Sequence, residues 1–203
     1  MGACISYSKL EGYEEKPTIF FEFHGTEIGA KEQAEAVQAI AEEFGGSAFQ
    51  WTSRMEDRNK LWQARHDAYY AAIALRSGCQ GWATDVCVPV SRLAECINKT
   101  KDDLKETGLI SPLVGHVGDG NFHMLYIVDP NNQEEMTKAQ AHSDRMVMRA
   151  LEMGGTCTGE HGVGYGKIHF LTNEHGEAMS LMRSLKTAFD PDNIMNPGKI
   201  VNI

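Results

Sequence analysis

Long apolar runs are missing from this 203-residue chain: none approaches the roughly 18 residues that a membrane-crossing helix needs. Positive charge is scarce. Its 19 Lys and Arg stand against 28 Asp and Glu, a formal net charge of -9, so no basic stripe exists to serve a nucleic-acid partner. Paired cysteines are missing too. Cys4, Cys79, Cys87, Cys96 and Cys157 are odd in number and include no CxxC, and they read as reduced thiols rather than a disulfide or zinc-ribbon framework. The first ten residues, MGACISYSKL, lack the apolar core and charged start of a secretory leader, though they match the Met-Gly-x-x-x-Ser pattern for myristoylation at Gly2. What remains, 42% apolar and 23% charged, is the composition of a soluble globular domain with enough chain to bury a core.

Residues 1–16 are polar and read as a lead-in. PTIFFEF (17–23) reads as a buried strand, and a helical pattern over 27–44 closes at Gly45-Gly46. A short strand is expected over 47–51, a helix over 57–74 and a strand over 82–90, where WATDVCVPV ends near Pro89. Ser91 caps a helix to about 107, and LISPLVGHV and FHMLYIV are apolar strands on either side of Gly118-Asp119-Gly120-Asn121. Asn132, with Glu135 three residues on, starts a helix reaching 153, and a last helix covers 177–189. The expected class is α+β: a ferredoxin-like antiparallel sheet with helices on one face over 17–153, then an irregular and helical segment over 154–203.

The stretch GHVGDGNFH carries two histidines seven residues apart. With Asp119-Gly120 as the two-residue loop of a type I′ hairpin, Gly118 faces Asn121, Val117 faces Phe122 and His116 faces His123. Directly opposed residues share a face with Cβ atoms about 5 Å apart, close enough for two imidazoles to hold one zinc or manganese ion. Either histidine alone reads as a half-buried sheet residue; the pairing beside a Gly-rich turn is what suggests chemistry. A third ligand is sought in GGTCTGEHGVGYGK, where Glu160 completes a His₂Glu set. If that segment is extended, Glu160 and His161 point apart, and His161 faces a substrate. The six glycines between 154 and 166 forbid a helix, yet the run lacks GxxxxGK[ST] and follows no strand-GxGxxG pattern. They read as a loop whose backbone approaches a ligand or another domain.

GHVGDGNFH, CTGEHGVGYGK and FDPDNIMNPGK, in that order, resemble the C-terminal half of FAD-linked oxidases of the vanillyl-alcohol oxidase type. LWQARHDAYYAA and TDVCVPVSRL extend the likeness over about 17–203, and it is strongest to the mitochondrial, cytochrome-linked branch acting on D-lactate. The resemblance implies a metal held by His116, His123 and Glu160, His161 as the base, Arg65 gripping a substrate carboxylate, and Asn196 returning towards the flavin. Guanidinium geometry suits that carboxylate role, although an Arg on a helix is otherwise a solvated residue. Relatives acting on D-2-hydroxyglutarate carry a lysine where this chain reads Trp82-Ala83-Thr84-Asp85, so a monocarboxylate such as D-lactate is the expected 2-hydroxyacid. The likeness further implies FAD, cytochrome c as electron acceptor, a mitochondrial address, and a flavin-binding half that is not in this chain and against which the C-terminal segment would pack. Two other readings of the same residues are a non-catalytic or partner-dependent fragment and a metal-dependent hydrolase using His₂Glu to activate water.

Overall fold

The computed structural model describes residues 1–46 and 49–203. It divides into two compact units, Met1–Ala71 and Ala72–Ile203.

The first unit contains α1 (Gly2–Ser8), α2 (Glu27–Glu43) and α3 (Met55–His66). The lead-in thus forms a short helix at its start. At the head of α2 the Thr26 hydroxyl accepts from the Gly29 amide at 3.2 Å, and the helix closes just before Gly45, as its sequence pattern requires. The strand expected over 17–23 is not formed. Phe21 stacks on Phe23 with centroids 6.1 Å apart, as i and i+2 do on an extended chain, but Ile19 and Phe21 stay exposed. No strand among the described residues pairs with this backbone, and apolar content without a ladder does not make a sheet. Of the strand expected over 47–51, Ser47 and Ala48 lie outside the described residues, and 49–51 have no regular structure. The helix expected over 57–74 is split at Asp67 into α3 and α4 (Ala68–Ile73), and α4 spans the point of division between the units.

The second unit runs β1 (Gln80–Ala83), β2 (Val86–Cys87), α5 (Val90–Lys105), β3 (Leu113–His116), a 3₁₀ turn (Val117–Asp119), β4 (Asn121–Val128), α6 (Gln133–Glu152), α7 (Ile168–His175) and α8 (Ala178–Phe189). The strand-helix-strand-strand-helix order through α6 is that of a ferredoxin-like unit. β4 is buried along its whole length and is antiparallel to every other strand. β1 and β2 meet it in one phase, Gln80 opposite Val128 and Val86 opposite Phe122, so the strand expected over 82–90 exists but breaks at Thr84-Asp85. Thr84 bridges the break. Its amide donates to the Met124 carbonyl at 2.9 Å, and its hydroxyl accepts from the Met124 amide at 2.8 Å.

Alternation along β4 sorts its side chains. Phe122, Met124, Tyr126 and Val128 pack with Leu93 and Cys96 of α5 and with Ala139, Met146, Val147 and Ala150 of α6. Leu125 and Ile127 face the other way, onto Ala72. Phe170, Leu171, Met179 and Val201 join the first cluster, so the C-terminal helices and tail share the core of the sheet. The five cysteines are free; burial, with Glu174 beside it, pushes the Cys157 thiol up to about 12 and leaves it unreactive.

One polar chain runs through this core. His142 of α6 is fully buried between the Tyr126 hydroxyl and the Thr100 carbonyl. A carbonyl only accepts, so Nε2 carries the proton and Nδ1 takes the Tyr126 hydrogen. Asp103, held bidentate by Arg145 and also by Arg149, lies 3.9 Å from Nε2. Burial lowers the His142 pKa despite the favourable Thr100 carbonyl and Asp103 charge. The folded chain therefore binds fewer protons than the unfolded chain below the ordinary value of 6.5. Stability is full above that pH and is lost as the pH falls towards the depressed folded value. Urea midpoints taken at falling pH should drop from about 6.5 downward, and the drop should be smaller in His142→Gln.

Candidate metal centre

The sheet register sets the histidines. His116 lies opposite Asn121, and His123 lies opposite Val114. The loop is therefore four residues long, with the 3₁₀ turn followed by Gly120 at φ +77°, and the expected direct pairing of His116 with His123 is off by two. A shift of two leaves every side chain on its own face. The two rings are diagonal neighbours, centroids 6.4 Å apart and nearly perpendicular. Gly120 is required where it stands. Besides its left-handed backbone, a Cβ there would overlap the Val88 carbonyl.

Glu160 enters this corner from the Gly-rich segment. Its Oε1 lies 2.9 Å from Nε2 of His123, 3.8 Å from Nε2 of His116 and 3.7 Å from Nε2 of His161. His161 is stacked on the His123 ring at 4.9 Å and 11°. Glu160 and His161 thus do not point apart as an extended segment would make them. The chain curls here, and both side chains turn to the same corner.

The donor chemistry fits a cation. His123 Nδ1 lies 2.7 Å from the Thr84 carbonyl, which can only accept, so Nδ1 bears the proton and Nε2 presents a lone pair. That lone pair faces a carboxylate oxygen at 2.9 Å. Two acceptors so close need a proton or a metal ion between them, and a carbonyl-oriented imidazole is the usual arrangement behind a metal ligand. His123 is buried, whereas His116, Glu160 and His161 are about half exposed, which leaves one side of the group open. Ligand atoms of His116, His123 and Glu160 all lie within 4.8 Å of one another. Those of Asp85, His123 and His161 do so too, but every Asp85 oxygen is already taken by donors. Asp85 therefore has no free oxygen to offer an ion.

Asp85 is the residue that reading the sequence passed over. Its side chain is 1% exposed and lies in the break between β1 and β2. The Thr158 hydroxyl and the amides of Gly159, Glu160 and His161 donate to Oδ2 at 2.7, 2.8, 3.1 and 3.0 Å. Asn121 Nδ2 donates to Oδ1 at 2.7 Å, and Lys167 Nζ reaches the Asp85 main-chain carbonyl at 2.7 Å. Burial alone would raise this carboxyl, but the donors from Thr158, His161, Lys167 and Asn121 outweigh it and hold it well below the usual carboxylate range. The signal for it was present: one acid inside the apolar run WATDVCVPV. The glycines serve the same contact, since a Cβ on Gly159 would overlap Asn121 Nδ2 and one on Gly155 would overlap the Cys87 carbonyl. The backbone approaches its own strand here.

Arg65 lies in the last turn of α3, half-buried, in the first unit. Asn196 is exposed in the tail with left-handed backbone, and its main-chain carbonyl accepts from Lys199. The tail is tied to the Gly-rich segment. The Ile200 amide donates to the Gly164 carbonyl at 3.0 Å, and the Tyr165 hydroxyl donates to the Pro197 carbonyl at 3.3 Å.

Residues 4–200 match the family described as FAD linked oxidases, C-terminal domain. The chain belongs to that family. It is 47% identical to a probable mitochondrial D-lactate dehydrogenase of Danio rerio, over 100% of this chain and 41% of that protein. With the mitochondrial D-lactate dehydrogenase [cytochrome] of Arabidopsis thaliana it shares 44% identity over 98% of this chain and 35% of that one. It thus spans about two-fifths or less of these curated relatives. Among solved structures, 4-ethylphenol oxidase from Gulosibacter chungangensis superposes with a TM-score of 0.61 over 88% of this chain and 38% of that one, at 16% identity, a likeness of fold. The family-level expectation and the α+β class both hold.

A Cβ at Gly159 would overlap the Asn121 amide and crowd Asp85 Oδ1, so Gly159→Ala must displace either Asn121 or the 158–161 turn, and each move takes donors away from Asp85. The substitution should cost about 1–3 kcal/mol, read as a lowered urea midpoint. An unchanged midpoint would mean that this turn is not packed as described.

Proposed function

We propose that this chain is the substrate- and metal-binding portion of an FAD-dependent D-2-hydroxyacid dehydrogenase that oxidises D-lactate to pyruvate. Residues 17–153 form its substrate domain and 154–203 its active-site segment and tail. The observation that carries the reading is the convergence of three imidazole Nε2 atoms on one Glu160 oxygen at 2.9–3.8 Å. His116, His123 and Glu160 would hold a zinc or manganese ion, whose chemistry when bound is to polarise the substrate hydroxyl and lower its pKa. His161 takes the hydroxyl proton, a task for which imidazole is suited near neutral pH. Arg65 binds and orients the carboxylate through paired N–H donors. Oxidation of the carbinol carbon also releases a hydride, and accepting it is the chemistry FAD supplies when bound.

The family name supports the flavin, and the relatives' names support D-lactate, a mitochondrial setting and a cytochrome acceptor. The missing lysine at Trp82–Asp85 favours a monocarboxylate. Asn196 is assigned to the flavin side of the site on the same likeness.

Metal analysis tests the reading directly. The purified chain, loaded with zinc or manganese and desalted, should retain close to one equivalent. His116→Ala should retain less and His123→Ala least, because His123 is the buried ligand fixed by Thr84. Equal metal content in all three proteins would sink the assignment.

A further inference from the structure

The dipeptide Thr84-Asp85 touches both halves of the proposed centre although neither residue is one of its ligands. The Thr84 carbonyl fixes the His123 tautomer from one side, at 2.7 Å. The Asp85 carboxylate gathers the consecutive amides of Gly159, Glu160 and His161 from the other. Three successive N–H groups aimed at one anion describe a nest, a concavity that binds negative charge. Here the anion is supplied by the chain itself. With their amides turned inward to Asp85, Glu160 and His161 send their side chains to the corner where His116 and His123 wait. The interruption of the strand makes this possible. An unbroken strand would hold residue 85 in the ladder opposite His123, with no place for a loop to close over it.

We propose that Asp85 is the positioning residue of this centre: its buried carboxylate templates the 158–161 turn and so places Glu160 for the metal and His161 for the substrate proton. The proposal rests on the metal reading above and adds a residue that does not touch the ion. Asp85→Asn keeps the shape but removes the charge and one of the two acceptor oxygens, so the donors from Asn121 and from the turn can no longer all be satisfied, and the turn should loosen while the sheet persists. Charge-assisted bonds of this kind are about twice as strong as neutral ones, which is why the isosteric amide is not an adequate replacement.

Two measurements on the full chain test it. Amide hydrogen exchange read by NMR should be at least about tenfold faster at Gly159, Glu160 and His161 in Asp85→Asn than in wild type, with the α6 amides little changed. Zn²⁺ affinity by chelator competition should fall about 10–100-fold, the usual effect of losing support behind metal ligands. If those three amides accelerate only in proportion to α6, or if the folded variant binds Zn²⁺ as tightly as wild type, Asp85 is merely structural and the proposal fails. A wild-type chain that does not bind Zn²⁺ would remove the metal reading, and the exchange arm would still decide whether Asp85 templates the turn. Should Asp85→Asn lose its helical circular dichroism, Thr158→Val carries the same test by deleting one donor at 2.7 Å. Faster exchange at 159–161 with weaker Zn²⁺ binding supports the proposal, and no change in either overturns it.

Discussion

The centre depends on one buried carboxylate. A charge with 1% exposure is costly to bury, and the cost is met only because both Asp85 oxygens are surrounded by donors. Those donors come from three places remote in sequence: Asn121 at the start of β4, the turn 158–161, and Lys167 just before α7. The sheet, the Gly-rich segment and the C-terminal helices therefore meet at a single side chain. Removing it would leave several orphaned N–H groups in a dry place, each a penalty in its own right. The Gly-rich composition of 154–166 follows from the same need, because side chains at 155 and 159 would block the approach.

How much of this was legible depends on the range of the interaction. Helices α2 and α6 announce themselves through caps and α5 through its periodic apolar residues, signals contained within a turn or two. The cap expected from Ser91 is not formed, because α5 begins at Val90 and takes Ser91 into its first turn. The strand pairing around β4 was legible in kind, since the glycine-interrupted apolar runs demand a hairpin. Its loop length was not, because Asp119-Gly120 suits a two-residue turn as well as the end of a 3₁₀ turn. Pro17–Phe23 misled for the opposite reason: its composition suits a strand, but pairing is decided by a partner that composition does not reveal. Asp85 was visible only as an anomaly, an acid in an apolar run. What satisfies it lies more than 70 residues away in Thr158, Gly159 and His161.

Family likeness and geometry bear on the same three side chains by separate routes. The likeness points to His116, His123 and Glu160 by matching motifs. In the structure those side chains converge through register, tautomer and loop curvature, none of which enters a motif comparison. The geometry adds an unequal division of labour. His123 is buried and oriented by Thr84, whereas His116, at the exposed end of β3, is free to adjust.

The diagonal arrangement of the two histidines bears on how this hairpin can slip along itself with its sequence unchanged. Four residues separate the strands here, and a slip that left two between them would also keep both rings on one face. A slip that left three or five would turn one ring to the opposite face unless a bulge absorbed the extra residue. Register errors in this hairpin are thus filtered by parity: a slip of two alters the spacing of the pair, and a slip of one abolishes it.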